Sequence, residues 1–452
     1  MNENGLIAAG DLDCAFATRA GQTISRRRFL ADAVALAERL PRAGAMLNLS
    51  SDRYRFAVGL AAALLRGHTS LLPPNHVPDT VARLRARFAD MYALVDGSGD
   101  GHGLPTVTHA DGDASAGGSD AIPRIDPDLV AAYVLTSGST GDPVPHAKPW
   151  GLLVTNARSE ARRLGEALGR ADLAGVSLVA TVPPQHMYGF ESSVLIAMHG
   201  GAVLDAGRPF FPADIAAALA RVPAPRVLVT TPFHLKAVLD ARLALPPLAL
   251  LLCATAPLAP QLAAEAEARL GTPLVEIYGC TEAGQVATRR TTAGAEWRTF
   301  DGVGLAGDGD AVTVSGGHVP QPTVLADVLE VTGSDTFRLL GRTHDLINVA
   351  GKRSSIGHLN FQLNSIDGVV DGAFWMPPDG SGDARGIVRL VAFVVAPALS
   401  NAAIGVALRE RVDAAFLPRR IVRVAALPRE ATGKLTAARL AELAAESGAI
   451  GR

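Results

Sequence analysis

Cysteine is scarce in this 452-residue chain. Cys14, Cys253 and Cys280 are far apart and odd in number. No C-x-x-C pair and no H-E-x-x-H occur, which argues against a disulfide framework and a thiolate or zincin metal site, and fits a reducing, cytoplasmic setting. Long apolar runs are missing too: FAVGLAAALL ends at Arg66, short of the ~18 residues a membrane helix needs, so no membrane insertion is expected. The net charge of −2 leaves neither a basic stripe for nucleic acid nor an acidic tail. Lysine is the other scarcity. Of 42 basic residues four are lysine: Lys148, Lys236, Lys352 and Lys434. In such a background a lysine marks a place where a compact amine serves better than a planar guanidinium.

One stretch imitates a targeting signal. Ser25 to Leu30, SRRRFL, has the look of a twin-arginine motif, but Asp32, Glu38 and Arg39 follow where an apolar segment belongs. It reads as an amphipathic helix with an arginine-rich start. Elsewhere, helical spacing alternates with short apolar strands. FLADAVALAERL and FAVGLAAALLRG are helical; AMLNLS, TSLLPPN and MYALVDG read as strands. The same alternation returns after residue 176, with PADIAAALARV and PQLAAEAEARLG between VSLVATVPP, GAVLDAG, RVLVTTP, LALLLCATAP and PLVEIYG. This predicts an α/β fold with mostly parallel sheets flanked by helices. Residues 96–120, rich in Gly, Asp and Ser, read as a solvated loop. Beyond Val303 the texture becomes β-rich (AVTVSG, TVLADVLEV, TFRLLGR), and the last ~110 residues form another α+β set. The expected division is 1–342 and 343–452, with a small second domain.

The chemistry begins at Tyr133 to Trp150, YVLTSGSTGDPVPHAKPW. A Gly-rich turn after a buried strand turns backbone N–H groups toward an anion, and Ser and Thr hydroxyls add donors. No Walker A pattern is present. Downstream come ATAPL (Ala254 to Leu258), YGCTEAG (Tyr278 to Gly284), Asp327 in VLADVLEV, LLGRTHDLINVAGKR around Arg342, and Lys434 in ATGK. A strand that ends in an aromatic, a hydroxyl and a carboxylate suits a base, a phosphate oxygen and Mg²⁺ in turn.

Together these motifs resemble, in order and spacing over most of the chain, those of the adenylate-forming superfamily: acyl-CoA synthetases, peptide-synthetase adenylation domains and luciferases. The resemblance implies a two-step reaction. A small carboxylic acid attacks the α-phosphorus of ATP and expels pyrophosphate; a phosphopantetheine thiol then takes the acyl group and releases AMP. It implies that Thr136, Ser137, Gly138, Ser139, Thr140 and Gly141 hold the pyrophosphate end, and that Ala254, Thr255, Ala256 and Pro257 border the adenine. Tyr278 and Gly279 also belong to the nucleotide site, with Tyr278 stacking on the base. Thr281 contacts phosphate, Glu282 binds Mg²⁺, Asp327 takes the ribose hydroxyls, and Arg342 binds ribose or phosphate. Lys434 bridges carboxylate and α-phosphate. The small domain turns between steps about His344, with Asp345 beside it and Gly351 lining the thiol tunnel. PPQHMYGFES places His186, Gly189 and Phe190 at the acid pocket, with Phe233 and Cys280 nearby; ordinary core packing is the alternative for each.

Three departures stand out. Val144 and Pro145 follow Pro143 where Lys-Gly is usual, leaving the role of Lys148 open. His344 occupies a hinge position usually held by Asp or Lys. Ala437 stands where an arginine is usual, three residues after the lysine. The PHAKPW variant is similar to ligases of aryl-polyene and xanthomonadin-like pigment pathways, which implies a hydroxybenzoate-like acid loaded onto an acyl carrier protein. Arg353, Arg419 and Arg420 are the candidates to dock its acidic helices. An aryl- or fatty-acid CoA ligase is the alternative, and a non-catalytic nucleotide-binding relative is the alternative class.

Overall fold

Helix starts and stops follow local chemistry. Ser25 Oγ accepts from the Arg28 amide at 3.2 Å and opens the helix Arg26–Arg39, so the arginine-rich stretch is the first turn of an amphipathic helix. Pro260 opens Pro260–Leu270, and Gly271 closes it in the left-handed region at φ 63°. The computed structural model describes residues 4–97, 99–109, 121–137, 143–342, 346–349, 352–377, 390–429 and 435–448. Among the described residues no helix is long and apolar enough to cross a membrane.

Among the described residues the alternating pattern resolves into two large sheets. The first has six strands in the order Thr106–Thr108, Tyr92–Val95, Ala45–Asn48, Thr69–Leu72, Val130–Ser137 and Pro143–Pro149. Neighbours are parallel except the last pair. The second has eleven. Its parallel centre runs Ala15–Arg19, Val203–Asp205, Ser177–Ala180, Arg226–Thr230, Leu250–Cys253 and Leu274–Cys280. Antiparallel strands Gly284–Arg289, Glu296–Thr299, Thr336–Arg342 and Asp327–Val331 extend it beyond Leu274–Cys280, and Gln22–Ser25 pairs antiparallel with Ala15–Arg19 at the other edge. Ser177–Ala180 and Leu250–Cys253 are buried throughout, and Leu228, Val229, Leu251 and Leu274 are fully buried, as a sheet covered by helices on both faces requires.

The structure differs from the sequence reading at three places. PVPHAKP, to which the sequence reading gave no element, forms the strand Pro143–Pro149 despite its three prolines. It sits at a sheet edge, where a missing N–H costs no ladder bond. Within 96–120, the TVT of Thr106–Thr108 adds an edge strand to Tyr92–Val95, because its alternating residues place Val107 half-buried against the core. TVLADVLEV is two strands and not one. Val319–Val324 pairs in a three-stranded sheet with Thr313–Gly316, whereas Asp327–Val331 joins the large sheet. Leu325 at the break is buried, and its amide bonds the Val312 carbonyl at 2.9 Å.

A smaller C-terminal domain follows. It holds the hairpin Leu346–Val349 and Lys352–Ser355, and a sheet of Asp371–Trp375, Val391–Val395 and Arg420–Arg423. The helices Ile356–Asn364, Asn401–Arg409 and Ala437–Glu446 belong to it too. Its own core gathers Leu359, Leu363, Phe374, Ile404 and Leu408. Arg429 forks onto both carboxylate oxygens of Asp371 at 2.8 and 2.7 Å. Gln261 Nε2 reaches across from the large domain to the Ser365 carbonyl at 3.1 Å.

Candidate active site

The strand Leu274–Cys280 turns through Thr281, Glu282 and Ala283 into Gly284–Arg289. Gly279 allows that turn, since a Cβ there would overlap the Gly284 carbonyl oxygen. Glu282 stands on the turn with its side chain 47% exposed, and Thr281 is half-buried beside it. Tyr278, the last buried residue before the turn, is 8% exposed. Its ring meets Trp297 at 5.7 Å and Phe337 at 5.5 Å, and Arg289 lies over Trp297 at 4.4 Å. Its hydroxyl donates to Asp327 Oδ2 at 2.6 Å. Asp327 is paired across the ladder with Arg342. Tyr278, Asp327 and Arg342 are thus brought to one end of the antiparallel extension by strand register alone.

ATAPL leaves Leu250–Cys253 at the carboxyl edge of the parallel strands, where open α/β sheets take their ligands. Ala254 is buried, Thr255 and Pro257 are exposed, and Ala256 is intermediate. Thr255 has φ 83°, a left-handed conformation that costs a β-branched residue energy and that concentrates at functional sites. No sequence signal announces it.

The hydroxyl-rich stretch connects the two strands of the edge hairpin. Thr136 and Ser137 end Val130–Ser137, and Pro143 begins the return strand. Gly138, Ser139, Thr140 and Gly141 lie outside the described residues, as do His344, Asp345, Gly351 and Lys434. The return strand carries His146 and Lys148 on one face. His146 Nε2 is 3.8 Å from Glu282 Oε1, and Lys148 Nζ donates to the Glu282 carbonyl oxygen at 3.1 Å. The edge of the six-stranded sheet therefore meets the turn of the eleven-stranded one at Glu282.

Beneath this contact lies a buried polar cluster that periodicity could not reveal. Lys148 is 8% exposed and Glu191 2%. Glu191 Oε1 accepts from Asn156 Nδ2 at 2.5 Å. Burial pushes the Glu191 carboxyl up to about 8 against the pull of Lys148, with Glu160 adding to the rise. Burial alone pushes Glu160 up to about 7, tempered by Ser192 and Gln285. Burial lowers the Lys148 amine, opposed by Glu191, Cys280 and Glu282 in that order. Burial also lowers His146, against Glu282, and pushes the Cys280 thiol up to about 12, so Cys280 is a neutral, half-buried neighbour of the turn.

The predicted acid-pocket residues fall in different settings. His186 is exposed and precedes a helical stretch that runs from Met187 to His199. Residues Phe190–Leu195 within it are π-helical, a distortion that recurs at functional sites. A Cβ on Gly189 would overlap the Pro183 carbonyl oxygen, so glycine is what lets this helix approach the preceding loop. Phe190 is fully buried, edge-on to Phe56 at 6.5 Å. Phe233, next to the Thr231 N-cap of Pro232–Ala241, is 43% exposed. Arg53, which the sequence reading passed over, is fully buried and anchors this region. It donates to Ser193 Oγ at 2.6 Å and to the Ala180 and Val182 carbonyls at 3.0 and 2.7 Å.

Mg²⁺ at Glu282 is what the family resemblance implies. Among the described residues no three His, Cys, Asp or Glu gather into a cage. Glu282 offers one half-exposed carboxylate, beside a histidine that burial holds below its ordinary range. That donor set fits a hard cation that keeps most of its shell as water and phosphate oxygen.

The comparisons with known proteins give the chain its family and its fold. A family model described as AMP-binding enzyme matches residues 93–324. The chain is 31% identical over 283 residues to a 4-coumarate–CoA ligase of Rhodobacter capsulatus, an alignment covering 63% of this chain and 68% of that protein. It is 30% identical over 281 residues to a 4-coumarate–CoA ligase of Halorhodospira halophila, covering 59% and 63%. Among solved structures, ATP-bound MatB from Rhodopseudomonas palustris shares the fold with a TM-score of 0.80 at 19% identity, over 98% of this chain and 99% of that one. The anthranilate CoA ligase AuaEII in complex with anthranoyl-AMP does so with 0.78 at 16%, over 96% and 94%. The chain belongs to the AMP-binding enzyme family of adenylate-forming proteins.

Proposed function

We propose that the protein is an ATP-dependent acid–thiol ligase that activates an aromatic carboxylic acid as its acyl-adenylate and passes the acyl group to a phosphopantetheine thiol. The observation that carries this reading is the convergence of Tyr278, Asp327 and Glu282 on one edge of the large sheet, with the hydroxyl-rich hairpin leading to Glu282 from the other side. In the first step a carboxylate oxygen bonds the α-phosphorus as the bond to pyrophosphate breaks. In the second a thiol sulfur bonds the acyl carbon, AMP leaves with its phosphate oxygen, and the thiol proton is lost to solvent.

Each residue takes a role that its setting suits. Asp327, fixed by the Tyr278 hydroxyl, is an acceptor for the two ribose hydroxyls. ATAPL gives exposed backbone at the sheet edge for the base. The donors of 136–141 are assigned to the leaving pyrophosphate. Glu282 holds Mg²⁺, which supplies Lewis-acid stabilisation of phosphate charge when bound. Lys434 brings a positive charge to the attacking carboxylate, where fixed charge acts most strongly on the transition state. The domain boundary at 342–343 and a turn about His344 give the two steps separate arrangements.

The 4-coumarate–CoA ligases and the anthranilate CoA ligase act, by their names, on aromatic acids with CoA. That favours an aromatic acid here, with CoA as acceptor. A hydroxybenzoate-like acid and a holo acyl carrier protein are the other pairing that PHAKPW suggests. The test is acid-dependent exchange of labelled pyrophosphate into ATP over a panel of aromatic and aliphatic acids, followed by thioester formation with CoA and with holo carrier protein. Exchange stimulated at least tenfold by aromatic acids is expected. No exchange with any acid would favour a non-catalytic nucleotide binder instead.

A further inference from the structure

The lysine of PHAKPW is turned into the protein. Lys148 lies on the edge strand Pro143–Pro149, opposite Ala132, and is 8% exposed. Its amine donates to the Glu282 carbonyl. Its strongest charged neighbour is Glu191, which Asn156 and the Gln285 amide hold in place. The amine therefore spends its hydrogen bonding on the turn, inside the protein. It is not presented as an external phosphate ligand standing in for the absent Pro-Lys-Gly lysine.

The arrangement has a directional consequence. With the Glu282 carbonyl drawn inward to Lys148, the Glu282 side chain is left on the outer face of the turn, half exposed. His146, two residues earlier and on the same strand face, stands 3.8 Å from that carboxylate. One strand thus holds the turn at its main chain and flanks it at its side chain. Removing an ammonium from water costs several kcal/mol, and an aliphatic residue would fill the same space without that penalty. A buried amine aimed at the carbonyl of a single turn is explained by what it fixes. Groups that orient a metal ligand without touching the metal commonly change metal affinity ten- to a hundredfold.

We propose that Lys148 is a positioning residue for the metal site: through the Glu282 carbonyl it sets the direction of the Glu282 carboxylate toward Mg²⁺ and nucleotide. This rests on the assignment of Mg²⁺ to Glu282 made above. The test compares the wild type with the Lys148→Met/Glu191→Gln pair and with Glu282→Gln. The pair removes the buried amine together with the ionisable carboxyl nearest it in charge, so neither titratable group is left without the other, and unfolding curves confirm that it is folded. AMP binding is measured by calorimetry with EDTA present. Binding of a non-hydrolysable ATP analogue and pyrophosphate exchange are then measured across a Mg²⁺ titration.

The expected result for the pair is AMP affinity within about threefold of wild type without metal, and at least a tenfold rise in the Mg²⁺ needed for half-maximal analogue binding. A folded pair with the wild-type Mg²⁺ requirement, beside a raised requirement in Glu282→Gln, overturns the role of Lys148 alone. An unchanged requirement in Glu282→Gln overturns the metal assignment, and this inference with it.

Discussion

The hydroxyl of Tyr278 donates to Asp327 Oδ2 at 2.6 Å, joining two residues 49 positions apart that sit on different strands of the large sheet. The bond turns an aromatic wall into a support for the carboxylate proposed to hold the ribose. Hydrogen bonds to charged groups contribute about 1.5–3 kcal/mol, and partial exposure of Asp327 reduces that. Tyr278→Phe should therefore lose about 1 kcal/mol of stability and weaken AMP binding about fivefold, which is about 1 kcal/mol. Calorimetric titration with AMP checks it. Wild-type affinity in a folded variant would show that the phenol does not prepare Asp327 for nucleotide.

Lys434 lies outside the described residues, so its prediction stands on the sequence motif and the chemistry. Lys434→Ala should lower acid-dependent pyrophosphate exchange about 10²–10³-fold, the usual effect of removing one preorganised transition-state contact. AMP binding should change little. Thioester formation from supplied acyl-adenylate should fall less than tenfold, because the amine acts in the first step. Equal losses in both half-reactions would contradict that assignment.

Gly189 is a packing requirement. A Cβ there meets the Pro183 carbonyl oxygen, backbone against backbone, so no rotamer change relieves it. Gly189→Ala should destabilise the protein by about 1–3 kcal/mol through overpacking. It should also raise the KM for the acid more than that for ATP, because the helix it displaces begins beside His186. Denaturant unfolding and steady-state kinetics read the two effects, and equal rises in both KM values would separate this helix from the acid site.

The legible and illegible parts of this chain divide along physical lines. Parallel strands read clearly because both faces are covered and their sequences become continuous apolar runs, as in LALLLCATAP and PLVEIYG. The placement of Asp327 opposite Arg342 follows from a hairpin register whose ends are short and polar. Pro143–Pro149 was hidden because three prolines argue against a strand unless it is known to be an edge. TVLADVLEV reads as one strand because periodicity does not register a change of sheet at Leu325 and Ala326. The cluster of Lys148, Glu191 and Glu160 could not be read at all. Residue spacing reports which face of an element is buried and says nothing of which distant carboxylate awaits a buried amine. The scarcity of lysine was its one trace.

That cluster gives stability a pH dependence with a definite sign. Glu160 is fully buried, and burial raises its carboxyl from an ordinary 4.5 to about 7. Between those values the folded protein keeps a proton that the unfolded chain releases, so stability falls as pH rises. The contribution is full below about pH 4.5 and is lost as pH rises through about 7. Its size is up to about 3 kcal/mol, at 1.36 kcal/mol per unit. Glu160→Gln keeps the shape and removes the titration, so its unfolding free energy should decline less between pH 5 and 7. Glu191, raised for the same reason, stays in the variant and retains part of the slope. Urea unfolding at pH 5, 6, 7 and 8 measures the difference. Parallel curves for wild type and variant would mean that Glu160 is already ionised in the fold and has found a proton donor.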